Sequence, residues 1–282
     1  MTYRQKFFEL KKIKNEYVNS TVVKTLLTDD GGFHDFTELI VHFDNELKNE
    51  NKIDDNLKRV MNGEPLQYVL GYTYFINSNY IVNPDVLIPR QETEQLAIGA
   101  LVYIVKHFGK DPYISIADIG TGSGILAIYL KENLPTAKII ATDISEKALE
   151  VAKKNAKLHN VDIDFRCGDM LSPIKEKLDV IVSNPPYIGG PETVSEQTLK
   201  YEPHLALFAS PKTKYYEEMI ANLKNMSDEA LLAFEIGEDM EEELTDLLEN
   251  EYPGVGYNFE KDMYGKVRFL YILKKKEFDN YA

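Results

Sequence analysis

The tetrapeptide Asn184-Pro185-Pro186-Tyr187 carries the most specific chemistry in this sequence. Two successive prolines remove two backbone N–H donors, keep their carbonyls and bias Asn184 to an extended conformation, so the segment offers acceptors. A planar NH2 group has two hydrogens to place. The side-chain oxygen of Asn184 and the main-chain carbonyl of Pro185 can hold both, with the Tyr187 ring stacked on the plane. That grip aims the nitrogen lone pair at an electrophilic carbon, and the positive charge that grows during attack is stabilised more in the transition state than in the ground state. The alkylated nitrogen is acidic enough to lose its proton to solvent, so no strong base is needed and orientation supplies much of the rate. Asn184, Pro185 and Tyr187 are the expected catalytic residues.

A second cluster supplies the electrophile. The glycines of Asp118-Ile119-Gly120-Thr121-Gly122-Ser123-Gly124 alternate between an apolar strand pattern and a helical run, where bare backbone can approach a ligand at a helix N-terminus. The spacing departs from the dinucleotide fingerprint, which disfavours a pyrophosphate cradle. Asp143 ends the next strand, where a carboxylate can accept both ribose hydroxyls. Gly168-Asp169-Met170 follows the third strand; Asp169 can accept the exocyclic amine of adenine while Met170 packs on the ring. Each feature alone has a plainer explanation, such as a helix cap or a tight turn. Together and in order they specify a nucleoside: S-adenosyl-L-methionine fits the set, although this region by itself leaves a nicotinamide cofactor open.

These residues need a scaffold that brings strand ends to one edge. From Ile114 onward short apolar strands alternate with helical segments through residues 114–275, which predicts a mostly parallel sheet covered on both faces, and the last two strands, with no helix between them, an antiparallel edge. The expected class is α/β. Residues 2–61 show helical spacing instead, with Phe7, Leu10, Ile13 and Tyr17 and then Leu39, Val41, Phe43 and Leu47, broken at Asp29-Asp30-Gly31-Gly32. The period changes to a hairpin pattern around Asn77-Ser78-Asn79. The division expected is a helical domain at 1–70, a β-hairpin linker at 71–90 and the nucleoside-binding domain at 91–282.

A chain of 282 residues with 44% apolar and 28% charged residues is long enough for a sizeable core and unlike disordered or membrane classes. The longest apolar stretch, residues 96–105, is far short of a bilayer span and reads as a buried helix, and the N-terminus lacks a signal-peptide pattern, so the cytoplasm is the expected address. One cysteine, Cys167, excludes an intramolecular disulfide and reads as a small core residue; five histidines without ligand spacing give no reason to expect a metal. A net charge of −14 disfavours broad phosphate-backbone binding, so direct nucleic-acid binding is not expected and a protein or small-molecule target is. A monomer is the working expectation.

At this point the chain resembles the HemK/PrmC type of glutamine N5-methyltransferases, over nearly its full length. The glycine segment and Asn-Pro-Pro-Tyr are shared with methyltransferases of adenine in DNA and guanine in ribosomal RNA. More specific are Glu64-Pro-Leu-Gln-Tyr-Val-Leu-Gly71, Val86-Leu-Ile-Pro-Arg90 with Glu92-Thr-Glu94, Tyr201-Glu-Pro-His-Leu-Ala-Leu207, Phe234-Glu-Ile-Gly237, and Lys261-Asp262 with Gly265 and Arg268. The resemblance implies a class I (Rossmann-like) seven-stranded methyltransferase domain behind a small helical substrate-docking domain. It implies cofactor contacts at Gly120, Thr121, Gly122, Ser123, Gly124, Asp143, Met170 and Asn184. The substrate would be a glutamine of a class I peptide chain release factor, held by Asn184, Pro185, Pro186 and Tyr187. Glutamine methylation of a large-subunit ribosomal protein is the nearest alternative, and a nucleic-acid adenine or guanine methyltransferase the next. Gln91 replaces a usual proline and 210–213 replace a usual Asp-Gly turn, both outside the inferred chemistry. Arg90 and Glu92 are read either as ordering the approach to the pocket or as surface charges. Residues 188–201 are expected to form a mobile loop over the pocket.

Overall fold

The computed structural model describes residues 1–275 and resolves them into two compact units, Met1–Tyr72 with Glu196–Tyr201, and Thr73–Ser195 with residues 202–275. The first unit holds helices α1 (Tyr3–Leu10), α2 (Ser20–Asp29), α3 (Phe36–Val41), α4 (Glu50–Met61) and α5 (Leu66–Leu70). Polar residues start the first three. Thr2 and Gln5 form a capping box, Asn19 accepts from the Val22 N–H, and Asp35 from the Glu38 N–H. Tyr3, Leu10, Leu26, Leu27, Leu39 and Ile53 build its core. Val41 departs from its expected inward face and is 76% exposed, because two residues after the buried Leu39 a helix has turned roughly 200°.

The second unit opens on a hairpin, β1 (Tyr72–Phe75) and β2 (Ser78–Ile81). Its turn residues Ile76 and Asn77 take φ of 36° and 66°, one position earlier than the Asn-Ser-Asn segment suggests. Helix α6 (Gln91–Phe108) follows, burying Leu96, Ala97, Ala100 and Ile104 as the apolar stretch predicts. Then come β3 (Ser115–Ile119), α7 (Ile125–Asn133), β4 (Lys138–Asp143), α8 (Glu146–Leu158), β5 (Asp164–Cys167) and β6 (Val180–Ser183). After α9 (Glu196–Tyr201), which belongs to the first unit, the second resumes with α10 (Lys214–Ala221), β7 (Leu231–Glu235), α11 (Glu241–Glu251), β8 (Gly256–Lys261) and β9 (Val267–Leu273).

The seven strands run in the order β5-β4-β3-β6-β7-β9-β8, parallel except for β9, which is antiparallel to both neighbours. Strand β6 shows how the faces are sorted: Val180 and Val182 join the core under α6 and α7, and Ile181 the core under α10 and α11. The order reverses beside β3, so the crevice at the carboxyl ends of β3, β4 and β6 is where such a sheet takes a ligand.

Two expectations fail here. Cys167 is exposed, because β5 is the edge strand and leaves its last residue uncovered. The segment 188–201 is not a free loop throughout: its end is helix α9, where Gln197 Nε2 donates to the Gly63 carbonyl at 3.0 Å and the Tyr201 hydroxyl to the Asn62 carbonyl at 3.0 Å. Those carbonyls follow the end of α4, where main-chain acceptors have no helical partner.

Candidate active site

A cavity opens at the carboxyl edge of the sheet, lined by Gly120 and Gly122 after β3, Asp143 at the end of β4, Asp169 and Met170 after β5, and Asn184 and Pro186 after β6. Val86, Leu87, Leu205, Ala206 and Tyr215 complete its apolar walls. Gly120 and Gly122 have φ of +69° and +55°, and a Cβ added at either would meet nothing within 4 Å. Their backbones thus leave room along the cavity that any side chain would take, while adopting a conformation that disfavours L-residues. Gly124 differs: its added Cβ would lie 3.0 Å from the Ala152 Cβ, so this glycine lets α7 approach α8.

The loop's shape is set from beneath. Asp118 is 1% exposed, and its Oδ2 accepts from the Thr121 hydroxyl at 2.6 Å and the Ala127 N–H at 3.1 Å. Burial pushes the Asp118 carboxyl up to about 7 against the pull of those two hydrogen bonds. Asn155, fully buried on α8, donates through Nδ2 to the Ser123 carbonyl at 2.8 Å and pairs with both main-chain groups of Ile81. Thr121, Ser123 and Gly124, expected as cofactor contacts, therefore do not line the cavity; their side chains or packing surfaces serve the loop itself.

Asp143 does line it. Its oxygens accept from the Gly122 N–H at 2.9 Å and the Ser145 N–H at 2.8 Å, which fixes the carboxylate and leaves further lone pairs for hydroxyl groups. Burial raises its pKa, opposed by the N–H groups of Ser145, Gly122 and Ile144. Met170 sits at φ 46°, a strained conformation for this residue type, with its carbonyl held by the Thr142 hydroxyl at 2.9 Å. A glycine-lined floor, an oriented carboxylate acceptor and an apolar wall together suit a nucleoside bearing a ribose diol.

Asn184 reaches the same cavity from β6, where buried Ser183 donates to the Ile119 carbonyl at 2.6 Å and locks the strand end against β3. The Asn184 Nδ2 donates to the Thr93 hydroxyl at 3.1 Å. Pro186 lines the cavity, whereas Pro185, which is buried, and Tyr187, which is partly buried, do not. Tyr187 packs on the core, its hydroxyl donating to Glu235 Oε1 at 3.2 Å, and burial holds its phenol well above the usual range. The ring that was to stack on substrate is thus anchored in the protein at its far end.

Several working residues escape the sequence reading. Thr93 and Glu235 stand behind Asn184, and Asn155 behind the glycine loop. Glu202, with its side chain 3% exposed, accepts from the Ile88 N–H at 3.1 Å and from Arg90 Nη2 at 2.5 Å. It ties the wall at Val86 and Leu87 to the wall at Leu205 and Ala206, so Arg90 is no ordinary surface charge. The signal for Glu235 lay in plain view: a lone carboxylate closing the otherwise apolar run Leu231–Glu235, every residue of which is buried. Among the described residues no cluster of His, Cys, Asp and Glu could hold a metal ion, and no helix is long and apolar enough to cross a membrane.

Residues 94–226 match the family model for the methyltransferase small domain. The chain is 36% identical over 246 residues to a release factor glutamine methyltransferase of Bacillus cereus, covering 83% of this chain and 86% of that one. It is 39% identical over 216 residues to a protein of the same name from Flavobacterium psychrophilum, covering 74% and 75%. Among solved structures, a methyltransferase from Pyrococcus furiosus superposes with a TM-score of 0.53 at 17% identity, over 79% of this chain and 99% of that one, which supports the fold.

Proposed function

The chain belongs to the release factor glutamine methyltransferases, and from that membership we propose that it methylates the side-chain amide nitrogen, N5, of a glutamine in a class I peptide chain release factor. The observation that carries this reading is the placement of Asn184 in the cavity that Gly120, Gly122 and Asp143 also line, with its amide nitrogen engaged inward by Thr93. Its oxygen is then left for an incoming NH2 group. S-adenosyl-L-methionine, when bound, supplies the electrophilic methyl group. Gly120 and Gly122 would pass beneath it, Asp143 would accept the ribose hydroxyls, Asp169 the adenine amine, and Met170 would pack on the ring.

The chain's own part in transfer is orientation. Asn184 Oδ1 holds one amide hydrogen and the Pro185 carbonyl, whose residue does not itself line the cavity, would take the second, which turns the nitrogen lone pair toward the methyl carbon. Both acceptors gain strength as the nitrogen becomes positive, and the proton then leaves to solvent. The apolar side chains of Leu205, Ala206 and Tyr215 line the cavity in which those acceptors work. Pro186 shapes the substrate side of the cavity, and Tyr187 fixes the far end of the tetrapeptide.

The second unit contains this whole cavity, which leaves the helical residues 1–70 free to serve as the docking surface for a protein substrate, with 71–90 as linker. A release-factor substrate fits a cytoplasmic site of action. The test is a panel of labelled methyl-transfer reactions on release factor, large-subunit ribosomal proteins and duplex DNA. Label confined to the release factor is expected; label confined to either of the others would assign a different substrate to the same chemistry.

A further inference from the structure

Asn184 can receive a substrate NH2 group only if its amide is held one way round. Rotation by half a turn exchanges Oδ1 for Nδ2 with little change in shape, so a neighbour must distinguish them. That neighbour is the Thr93 hydroxyl, 3.1 Å from Nδ2. A hydroxyl has one proton, and Thr93 Oγ1 also lies 2.9 Å from Glu235 Oε2, with both side chains buried. An ionised carboxylate only accepts, so the Thr93 proton goes to Glu235 and Oγ1 offers Asn184 nothing but lone pairs. The other oxygen, Oε1, accepts from the Tyr187 hydroxyl at 3.2 Å. One carboxylate therefore holds both ends of the Asn-Pro-Pro-Tyr segment.

We propose that Glu235 and Thr93 are positioning residues that set the polarity of the Asn184 amide, turning Oδ1 to the substrate when Glu235 is ionised and releasing it when Glu235 is protonated. This rests on the reading of Asn184 as the acceptor of a substrate amide. A protonated Glu235 can donate to Thr93 Oγ1, which frees the Thr93 proton for Asn184 Oδ1 and turns Nδ2 into the cavity. Two NH2 groups then face each other, and the substrate nitrogen loses its aim.

The groups around Glu235 set where the switch lies. Thr93 and Glu92 face it from α6, Tyr187 from the loop after β6, and Arg268 from β9, while the Tyr216 hydroxyl of α10 donates to its main-chain carbonyl at 2.7 Å. Burial dominates and pushes the Glu235 carboxyl up to about 7; the bonds from Thr93 and Tyr187 and the charge of Arg268 pull it down, and Glu92 pushes it up. The polarity of the amide is then responsive across the neutral pH range.

Two measurements test the proposal separately from the function it rests on. The side-chain 15N–1H2 signals of Asn184, assigned by their loss in Asn184→Asp, should shift with a midpoint near pH 7 in the wild type and stay still in Glu235→Gln; a flat wild-type titration overturns the proposal whether or not the protein methylates anything. In transfer assays Thr93→Val should lower kcat about a hundredfold with cofactor affinity within about twofold, and Thr93→Ser should restore kcat to within about threefold. Glu235→Gln should lose the rise in kcat between pH 6 and 8 that the wild type shows, those limits bracketing its carboxyl at about 7. Thr93→Val turning over like the wild type overturns the proposal. A wild type whose amide titrates but which labels no release factor overturns the function and leaves the assignment of Glu235 and Thr93 standing.

Discussion

Two carboxyls lie wholly buried beneath the cavity, Asp118 under the glycine loop and Glu235 under Asn-Pro-Pro-Tyr, and burial pushes both up to about 7. They hold different things. Asp118 works through one oxygen, taking the Thr121 hydroxyl and the Ala127 N–H of its own strand-turn-helix, while its Oδ1 has no hydrogen-bond partner. Glu235 uses both oxygens, and both donors are side chains, Thr93 lying 142 residues away and Tyr187 lying 48 away. On the proposed reading the cofactor half of the site is local backbone geometry, and the transfer half is side-chain orientation assembled from distant segments. Strain in the chain should damage the first, and a change of hydrogen-bonding groups the second.

The comparison is sharpest at Asn184. Asn184→Ala should lower kcat by about 10²–10³ while cofactor affinity in calorimetry changes no more than about threefold, since one preorganised acceptor at a developing charge is worth that much. A large loss of cofactor affinity instead would merge the two halves. Next in size is the pH dependence of stability. Both carboxyls have folded pKa values raised above their ordinary ones, so the native state binds more protons between about pH 4 and 7, and the stability they add at low pH is lost as pH rises through about 7. For Glu235 this amounts to on the order of 3 kcal/mol at most, and urea unfolding of Glu235→Gln should show a flatter pH profile than the wild type. An equal slope in both would mean that Glu235 is not the titrating group.

Smaller effects test the backbone half. Gly122→Ala places a Cβ in the cavity and forces a positive φ, so unfolding free energy should drop by about 1–2 kcal/mol and cofactor affinity about tenfold, with kcat at saturation retained. Asp143→Asn should weaken cofactor binding by about tenfold or less by converting an acceptor-only group into one that also donates. Wild-type affinity should also fall as acid protonates Asp143, beginning at higher pH than an ordinary aspartate would show, because burial raises its pKa. Affinity unchanged by acid and by the substitution would remove Asp143 from the site.

The same division explains what could be read from the residues alone. The strand-helix alternation, the hairpin, and the glycines at Gly120 and Gly122 follow from spacing within a few residues, and the structure puts those elements where the pattern does. Asn184 was legible because prolines constrain their neighbours locally. Thr93, Asn155 and Glu202 were not, since each acts on a partner across the fold, from 32 residues for Asn155 and Ser123 to 142 for Thr93 and Glu235, and Glu235 showed only as an unexplained carboxylate in an apolar run. Side-chain direction and edge position have the same cause. Thr121 and Ser123 lie inside the glycine motif but bond inward to Asp118 and Asn155, and Cys167 is exposed because β5 ended up at the edge of the sheet. A row of residues does not show which strand becomes the edge.

Everything proposed for the site turns on Asn184 orienting a release-factor glutamine for methylation. The most direct test incubates purified release factor with labelled S-adenosyl-L-methionine and either the wild type or Asn184→Ala, then maps the modified residue by mass spectrometry. Label on a single glutamine side chain is expected with the wild type and almost none with Asn184→Ala. Label on any other residue, or label on the glutamine undiminished by the substitution, would contradict it.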